Sequence, residues 1–213
     1  MAMADAVLFL HIVAGVTALL AAGTALGCAK GAAWHRRAGL SYVLAMLAVT
    51  LTTFVLVALR PNLFLFVIGV FSFYLVFTGW RAGAQRDGRP RWSDHLAGVA
   101  MALTGAAMLA IGAMRLFGPG GAEPVILLVF GSIGLTMALS DWRDWRRGPI
   151  TGKARIARHL TRMLAGSIAT ITAALVVNLS FLPLLVVWLG PTVLITPLIF
   201  LWNARILRPA KPL

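Results

Sequence analysis

The chain has 213 residues, of which 60% are hydrophobic and only 12% are charged. Soluble domains carry about twice that charged fraction, roughly a quarter of their residues. The apolar residues fall in blocks of about 17–25, the length at which a helix crosses a bilayer. We therefore predict an all-α, polytopic integral membrane protein.

The formal net charge of +13 does not indicate a nucleic-acid partner, because no soluble basic domain carries it. The basic residues lie in short loops beside the apolar blocks. In that position Lys and Arg orient a membrane chain and contact anionic lipid headgroups. Since Cys28 is the single cysteine, we expect no internal disulfide. The first residues lack the basic region of a secretory signal.

Seven apolar blocks predict seven transmembrane helices in chain order. Their predicted ranges are 4–28, 35–59, 62–80, 95–116, 124–139, 159–181 and 184–202. The fifth is the shortest, and only Leu182 and Pro183 separate the last two. The helices are predicted to form one membrane domain over 1–203, followed by a short basic cytoplasmic tail over 204–213.

The distribution of Lys and Arg predicts the orientation. Of the 19 basic residues, all but Arg60 and Arg115 are predicted to lie on one side of the membrane. They belong to the loops after the first, third and fifth predicted helices and to the C-terminal tail, and Arg162 lies at the start of the sixth helix. Loops rich in Lys and Arg remain in the cytoplasm. The N-terminus is therefore predicted to lie outside and the C-terminus in the cytoplasm.

The even-numbered predicted helices begin alike. The second, fourth and sixth each start at a histidine, and a glycine follows each within two turns: His35 with Gly39, His95 with Gly98, and His159 with Gly166. This similarity suggests three helical-hairpin repeats followed by a final helix, or it is coincidental. Membrane folds built from repeats often place their site between the repeats.

The positions of these three histidines predict a cofactor site at the cytoplasmic boundary of the membrane. A helix N-terminus disfavours the charged imidazolium, and the neutral imidazole is the form that binds a metal or haem iron. Whether the three converge depends on helix packing. The alternative is that they are interfacial residues that cap their helices and contact lipid phosphate.

Two kinds of cofactor fit this pattern. Haem b is held by one or two histidines; Gly39 and Gly98 would leave room for the porphyrin, and Arg36, Arg37, Arg158 or Arg162 would pair with its propionates. Alternatively, the three histidines would bind zinc or copper, with Asp94 or Asp141 as a carboxylate partner. It also remains open that no cofactor binds. Asp141 and Asp144 otherwise fit solvent-exposed ion pairs with nearby arginines.

His11 lies inside the first predicted helix. An ionisable residue within a membrane helix is a candidate proton relay, quinone contact or second cofactor ligand. The alternative is a neutral histidine that bonds Ser or Thr on a neighbouring helix.

Two segments resemble a known family. The stretch from His11 through Lys30, Gly31 and His35 to Met46, and the segment 73–82, are similar to the bacterial predicted-membrane-protein family called domain of unknown function 2306. The resemblance covers residues 8–82. It implies a small multi-helix protein of the bacterial inner membrane, and it implies that His11, His35 and the Lys30–Gly31 pair are typical of the family. It implies no particular activity.

These observations favour a histidine cofactor protein, with haem b preferred, that exchanges electrons with a quinone or a partner subunit. A second reading is a transporter or channel for a small solute, with His11 and the prolines of the seventh helix along its path. A third is an accessory subunit without its own chemistry. A homo-oligomer or a partner membrane subunit fits each of them.

Overall fold

The structure, a computed structural model, describes residues 2–118 and 121–208. It is all-α, and seven long helices follow one another as predicted: α1 Ala2–Gly27, α2 Ala33–Leu59, α3 Leu63–Ala84, α4 Trp92–Arg115, α5 Glu123–Arg147, α6 Gly152–Asn178 and α7 Leu184–Leu207. Each is long and apolar enough to span a membrane. The prediction of a seven-span membrane protein is confirmed.

Six of the seven helices extend beyond their predicted ends at one end of the bundle, where α1, α3, α5 and α7 finish and α2, α4 and α6 begin. The exception is α1, which ends at Gly27, one residue before its predicted end. We call this end of the bundle the basic end. There α5 continues to Arg147 and α6 begins at Gly152, so that the arginine-rich segments predicted as loops are helical. Hydropathy marks where a helix leaves the hydrocarbon, whereas backbone hydrogen bonding continues into the headgroup region. His159 is consequently the eighth residue of α6 and does not begin it.

Helix α6 packs extensively against both α3 and α7. The most extensive pairs are α1 with α2, α4 with α5, α3 with α6 and α6 with α7. Only the first of the three predicted hairpins is among them. Between α4 and α5 the backbones approach closely, because a Cβ atom at Gly105 would lie 3.0 Å from the backbone nitrogen of Leu135. Small residues permit such close packing between membrane helices.

Two loops meet at the basic end. The backbone N–H of Ile150, between α5 and α6, donates to the carbonyl of Gly88, between α3 and α4, over 3.1 Å. In the α3–α4 loop, a hydrogen bond from the backbone N–H of Arg89 lowers the pKa of the exposed Asp87 carboxyl. Residues 204–207 of the predicted tail belong to α7, and its last residues, 209–213 with Lys211, lie outside the described residues. The α3–α4 and α5–α6 connections are therefore held together directly.

Candidate functional site

Two of the three predicted site histidines meet. The rings of His35 on α2 and His159 on α6 have their centroids 6.4 Å apart, and their planes are nearly perpendicular at 83°. Both side chains are half-buried. The two histidines are 124 positions apart in sequence, so it is the packing of α6 against α1 and α3 that brings them together.

Each ring of this pair is held through Nδ1. His35 Nδ1 lies 3.0 Å from the carbonyl oxygen of Ala25 on α1, and His159 Nδ1 lies 2.8 Å from that of Gly79 on α3. A carbonyl only accepts hydrogen bonds, so both Nδ1 atoms carry the proton. In a neutral imidazole the lone pair is then on Nε2. Neither Nε2 atom makes a hydrogen bond to any residue that the structure describes.

Cationic side chains fix the helix ends that hold the two rings. Lys30 Nζ donates to the carbonyls of Ala25 and Leu26 at the end of α1, over 3.1 and 2.6 Å. Arg155 Nη1 donates to the carbonyls of Ala82 and Gly83 at the end of α3, over 2.9 Å each. Cations at a helix C-terminus satisfy its free carbonyls and oppose its partial negative charge. The carbonyl ends that surround the rings are thereby fixed in place.

Glycine provides the space beside each ring. A Cβ atom at Gly83 would lie 2.7 Å from His159 Nδ1, so only glycine lets the imidazole approach α3 this closely. Gly39, one turn after His35, has no atom within 4 Å of the position a Cβ would take. His159 is therefore tightly packed against α3, whereas position 39 of α2 has open space around it.

The separation of the rings would let both imidazoles bind one metal ion. Metal–nitrogen bonds of about 2.0 Å, with roughly 1.1 Å from each nitrogen to its ring centre, would place the two centroids up to about 6 Å apart. Metal-bound histidines usually donate their other ring N–H to a carbonyl or carboxylate. The His35–His159 pair has both the ring separation and the hydrogen bonds to carbonyls.

His95 does not join the pair. Its ring packs edge-to-face on Trp145 of α5, with 4.5 Å between the ring centroids. The predicted porphyrin space at Gly98 is filled by the same tryptophan, whose Cη2 would lie 3.0 Å from a Cβ atom there. In this structure the absence of a side chain at Gly98 makes room for the Trp145 ring. The signal that failed was the similar position of His95 in its helix, which says nothing about which neighbour the helix faces.

Asp94 forms a salt bridge with Arg81. Its carboxylate accepts from Arg81 Nε and Nη2 over 2.8 and 2.7 Å and from the backbone N–H of Arg91 over 2.7 Å. A paired carboxylate of this kind is a poor candidate for the predicted metal ligand. Among residues 2–118 and 121–208, no three His, Cys, Asp or Glu side chains are placed to hold a metal ion. The constellation of His35, His95, His159 and Asp94 does not form.

Arg162 faces away from the histidine pair. It is 4% exposed, and its guanidinium lies against Asp141 and the Tyr74 ring, 5.1 Å from the ring centre. Because its charge already has a buried carboxylate partner, Arg162 is a poor candidate for the predicted pairing with a propionate. Arg36 and Arg37 are exposed near His35; Arg37 stacks on Trp34 at 5.8 Å, and within the described residues neither forms an ion pair.

Asp141 has a role that sequence reasoning missed. Expected on a solvated face, it is 1% exposed and binds Arg158 and Arg162 of α6 and the hydroxyl of Tyr74. The exposed-pair prediction is wrong for this residue because α5 continues past Leu139 and turns Asp141 toward α3 and α6. Arg158 and Arg162 lie one helical turn apart on the same face of α6, and this spacing could have indicated that they share a carboxylate partner.

His11 bonds a neighbouring helix. Its Nδ1 lies 2.9 Å from the hydroxyl oxygen of Thr52 on α2. That hydroxyl lies 2.7 Å from the carbonyl of Ala48 and 2.9 Å from that of Val49. If its only proton goes to one of these carbonyls, His11 Nδ1 is the donor to Thr52. This is the arrangement expected of a neutral structural histidine in a membrane helix.

Comparison of the chain with protein-family models, curated proteins and solved structures finds no match. The resemblance over residues 8–82 thus stays a prediction.

Proposed function

We propose that this seven-span membrane protein is a haem b protein in which His35 and His159 would hold the haem iron. The observation that carries the proposal is the pair itself: two imidazoles 6.4 Å apart, each with Nδ1 on a backbone carbonyl. Bound haem b supplies one-electron redox chemistry. The matching activity is electron transfer to or from a quinone or a partner membrane subunit.

The set of donors favours haem over a bare metal ion. A structural or catalytic zinc site takes three or four protein ligands, and a third histidine, cysteine or carboxylate does not accompany this pair in the described residues. A porphyrin would supply four nitrogens itself, so the iron would need only the imidazoles of His35 and His159 in addition. A copper ion held by the two histidines alone is the alternative cofactor.

Other parts of the chain would orient the group. The open space at Gly39 would admit the edge of a macrocycle on the α2 side. Arg36 and Arg37 would hold its propionates at the basic end, since charge-assisted hydrogen bonds to carboxylates are strong. The abundance of Lys and Arg at this end supports a cytoplasmic location of the site, in a bacterial inner membrane.

The transporter reading has less support from the geometry. The chain of α7 remains helical from Leu184 to Leu207 through Pro191 and Pro197, so this span is not interrupted. His11 is tied to Thr52. An accessory subunit would show firm co-purification with a partner and no cofactor.

An absorbance spectrum tests the proposal. Protein purified in neutral detergent from haem-supplemented cells is expected to show a Soret band, and dithionite is expected to sharpen its visible bands. His35→Ala and His159→Ala should each abolish the six-coordinate spectrum, whereas His95→Ala, the matched control, should keep it. A colourless wild-type preparation, or an unchanged spectrum in both variants, refutes haem ligation by this pair. Elemental analysis of the same samples then tests copper.

A further inference from the structure

One face of α5 at the basic end forms an open recess of about 410 Å³. It is lined by Leu139, Trp142, Arg143, Arg146 and Arg147. The spacing of three and four residues places all five on the same side of the helix. The opposite side carries the buried Asp141, so the two faces have different partners.

The order of the side chains along this face matches the order of groups in a phospholipid. Leu139 is the last residue of the apolar block; Trp142 follows, and the three arginines lie beyond it. From Leu139 to Arg147 the helix rises about 12 Å, enough to run from the edge of the hydrocarbon through the headgroup layer, which is about 5–8 Å deep. Tryptophan prefers this interface.

The recess is cationic and open. Leu139 is 54% and Trp142 60% exposed, and the three arginines are exposed too. None of its lining residues is acidic. Arg143 Nε lies 3.7 Å from the carboxylate of Asp144. The same carboxylate also lies 3.5 Å from Nη1 of Arg158 on α6. In the described part of the chain, Arg146 and Arg147 take part in no ion pair.

We infer that this face binds an anionic phospholipid, with the phosphate on Arg143, Arg146 and Arg147 and the glycerol and upper acyl chain on Trp142 and Leu139. A soluble phosphate would use the arginines only. The apolar half of the recess therefore selects the lipid over the free anion. The inference does not depend on the cofactor proposed above.

The test uses the full chain in neutral detergent and native mass spectrometry with phosphatidylglycerol or phosphatidylcholine of matched acyl chains. Wild-type protein is expected to retain phosphatidylglycerol preferentially. Arg143→Gln/Arg146→Gln/Arg147→Gln should weaken its binding by about 100-fold at low salt, from about fivefold per arginine. The control Arg86→Gln/Arg205→Gln/Arg208→Gln, which removes the same charge from the same end, should change it little.

A second variant separates lipid from free phosphate. Trp142→Gln should weaken phosphatidylglycerol binding while any competition by millimolar inorganic phosphate stays as in the wild type. Equal losses in the two triple variants would show a diffuse field instead of a site. Full displacement of the lipid by inorganic phosphate would assign the recess to a soluble anion. Equal retention of both lipids by the wild type would also overturn the inference, and circular dichroism establishes that each variant keeps its helices.

Discussion

The hydroxyl of Tyr74 donates a hydrogen bond to Asp141 over 2.6 Å and so joins α3 to the end of α5. Arg158 and Arg162 of α6 bind the same carboxylate. Three helices thus meet at one side chain that is 1% exposed. Its negative charge keeps two inward-facing guanidinium groups paired.

Asp141→Ala is expected to destabilise the protein strongly. Removing one member of a buried ion cluster leaves the others charged and unpaired, which costs about 3–5 kcal/mol. The free energy of unfolding in detergent micelles, measured by titration with a denaturing detergent, should fall by that amount.

Asp144→Ala is the matched control. This carboxylate, one turn away from Asp141, is partly exposed and pairs at 3.5 and 3.7 Å. Its loss should cost no more than about 1 kcal/mol. Equal effects of the two substitutions would show that burial of Asp141 contributes nothing to stability.

The number and order of the helices could be predicted because hydropathy alone sets which segments lie in lipid. The helix ends were predicted less well at Arg147 and Gly152, because hydropathy does not detect helical turns in the headgroup region. Asp141 was misplaced for that reason. A carboxylate among arginines reads the same in a sequence whether it faces water or three helices.

The candidate site was predictable in part. Three histidines at similar places in their helices indicated a common site, and two of them, His35 and His159, do meet. His95 faces Trp145 because α4 pairs with α5. A single sequence carries no signal for that pairing. Gly83 could not be identified either, since its importance comes from the approach of His159 across 76 residues of chain.

Gly88→Ala is predicted to loosen the basic end. Gly88 has φ of +66°, and a Cβ atom there would overlap the carbonyl of Ile150. Gly121→Ala is the control, because Gly121 has φ of +58° and no neighbour within 4 Å. In both variants, backbone strain should lower the free energy of unfolding by about 1 kcal/mol or more. In Gly88→Ala the overlap with Ile150 should lower it by about 1 kcal/mol more than in Gly121→Ala, measured in the same unfolding assay. Identical losses would mean that the two loops do not contact each other.

His11 is predicted to stabilise the bundle without taking part in the chemistry. A double-mutant cycle with His11→Ala and Thr52→Val should give a coupling energy of about 0.6 kcal/mol, the average for hydrogen bonds between membrane helices. The cofactor spectrum should be unchanged in His11→Ala. A lost or shifted Soret band in that variant would instead make His11 part of a redox site.

Gly83→Ala is predicted to displace His159. The added methyl group would lie 2.7 Å from Nδ1, so the ring must move and its hydrogen bond to Gly79 must lengthen. Loss of such a supporting hydrogen bond costs about 10–100-fold in metal affinity, to be measured as haem retained on titration. Gly15→Ala, at a helix position with open space, is the control. Unchanged retention in Gly83→Ala would show that His159 holds no cofactor in this orientation.

Gly39→Leu distinguishes a macrocycle from a bare ion. Position 39 lies one turn from His35, and no atom lies within 4 Å of its Cβ site, so a side chain added there begins in open space. Its side chain would occupy the space proposed for the porphyrin edge, whereas a single ion between two Nε2 atoms needs no such space. We therefore expect Gly39→Leu to lose haem and to keep copper, with Gly15→Leu as the control for helix stability. Haem retained at the wild-type level in Gly39→Leu would place the porphyrin elsewhere, and loss of both cofactors would show that the leucine displaces His35.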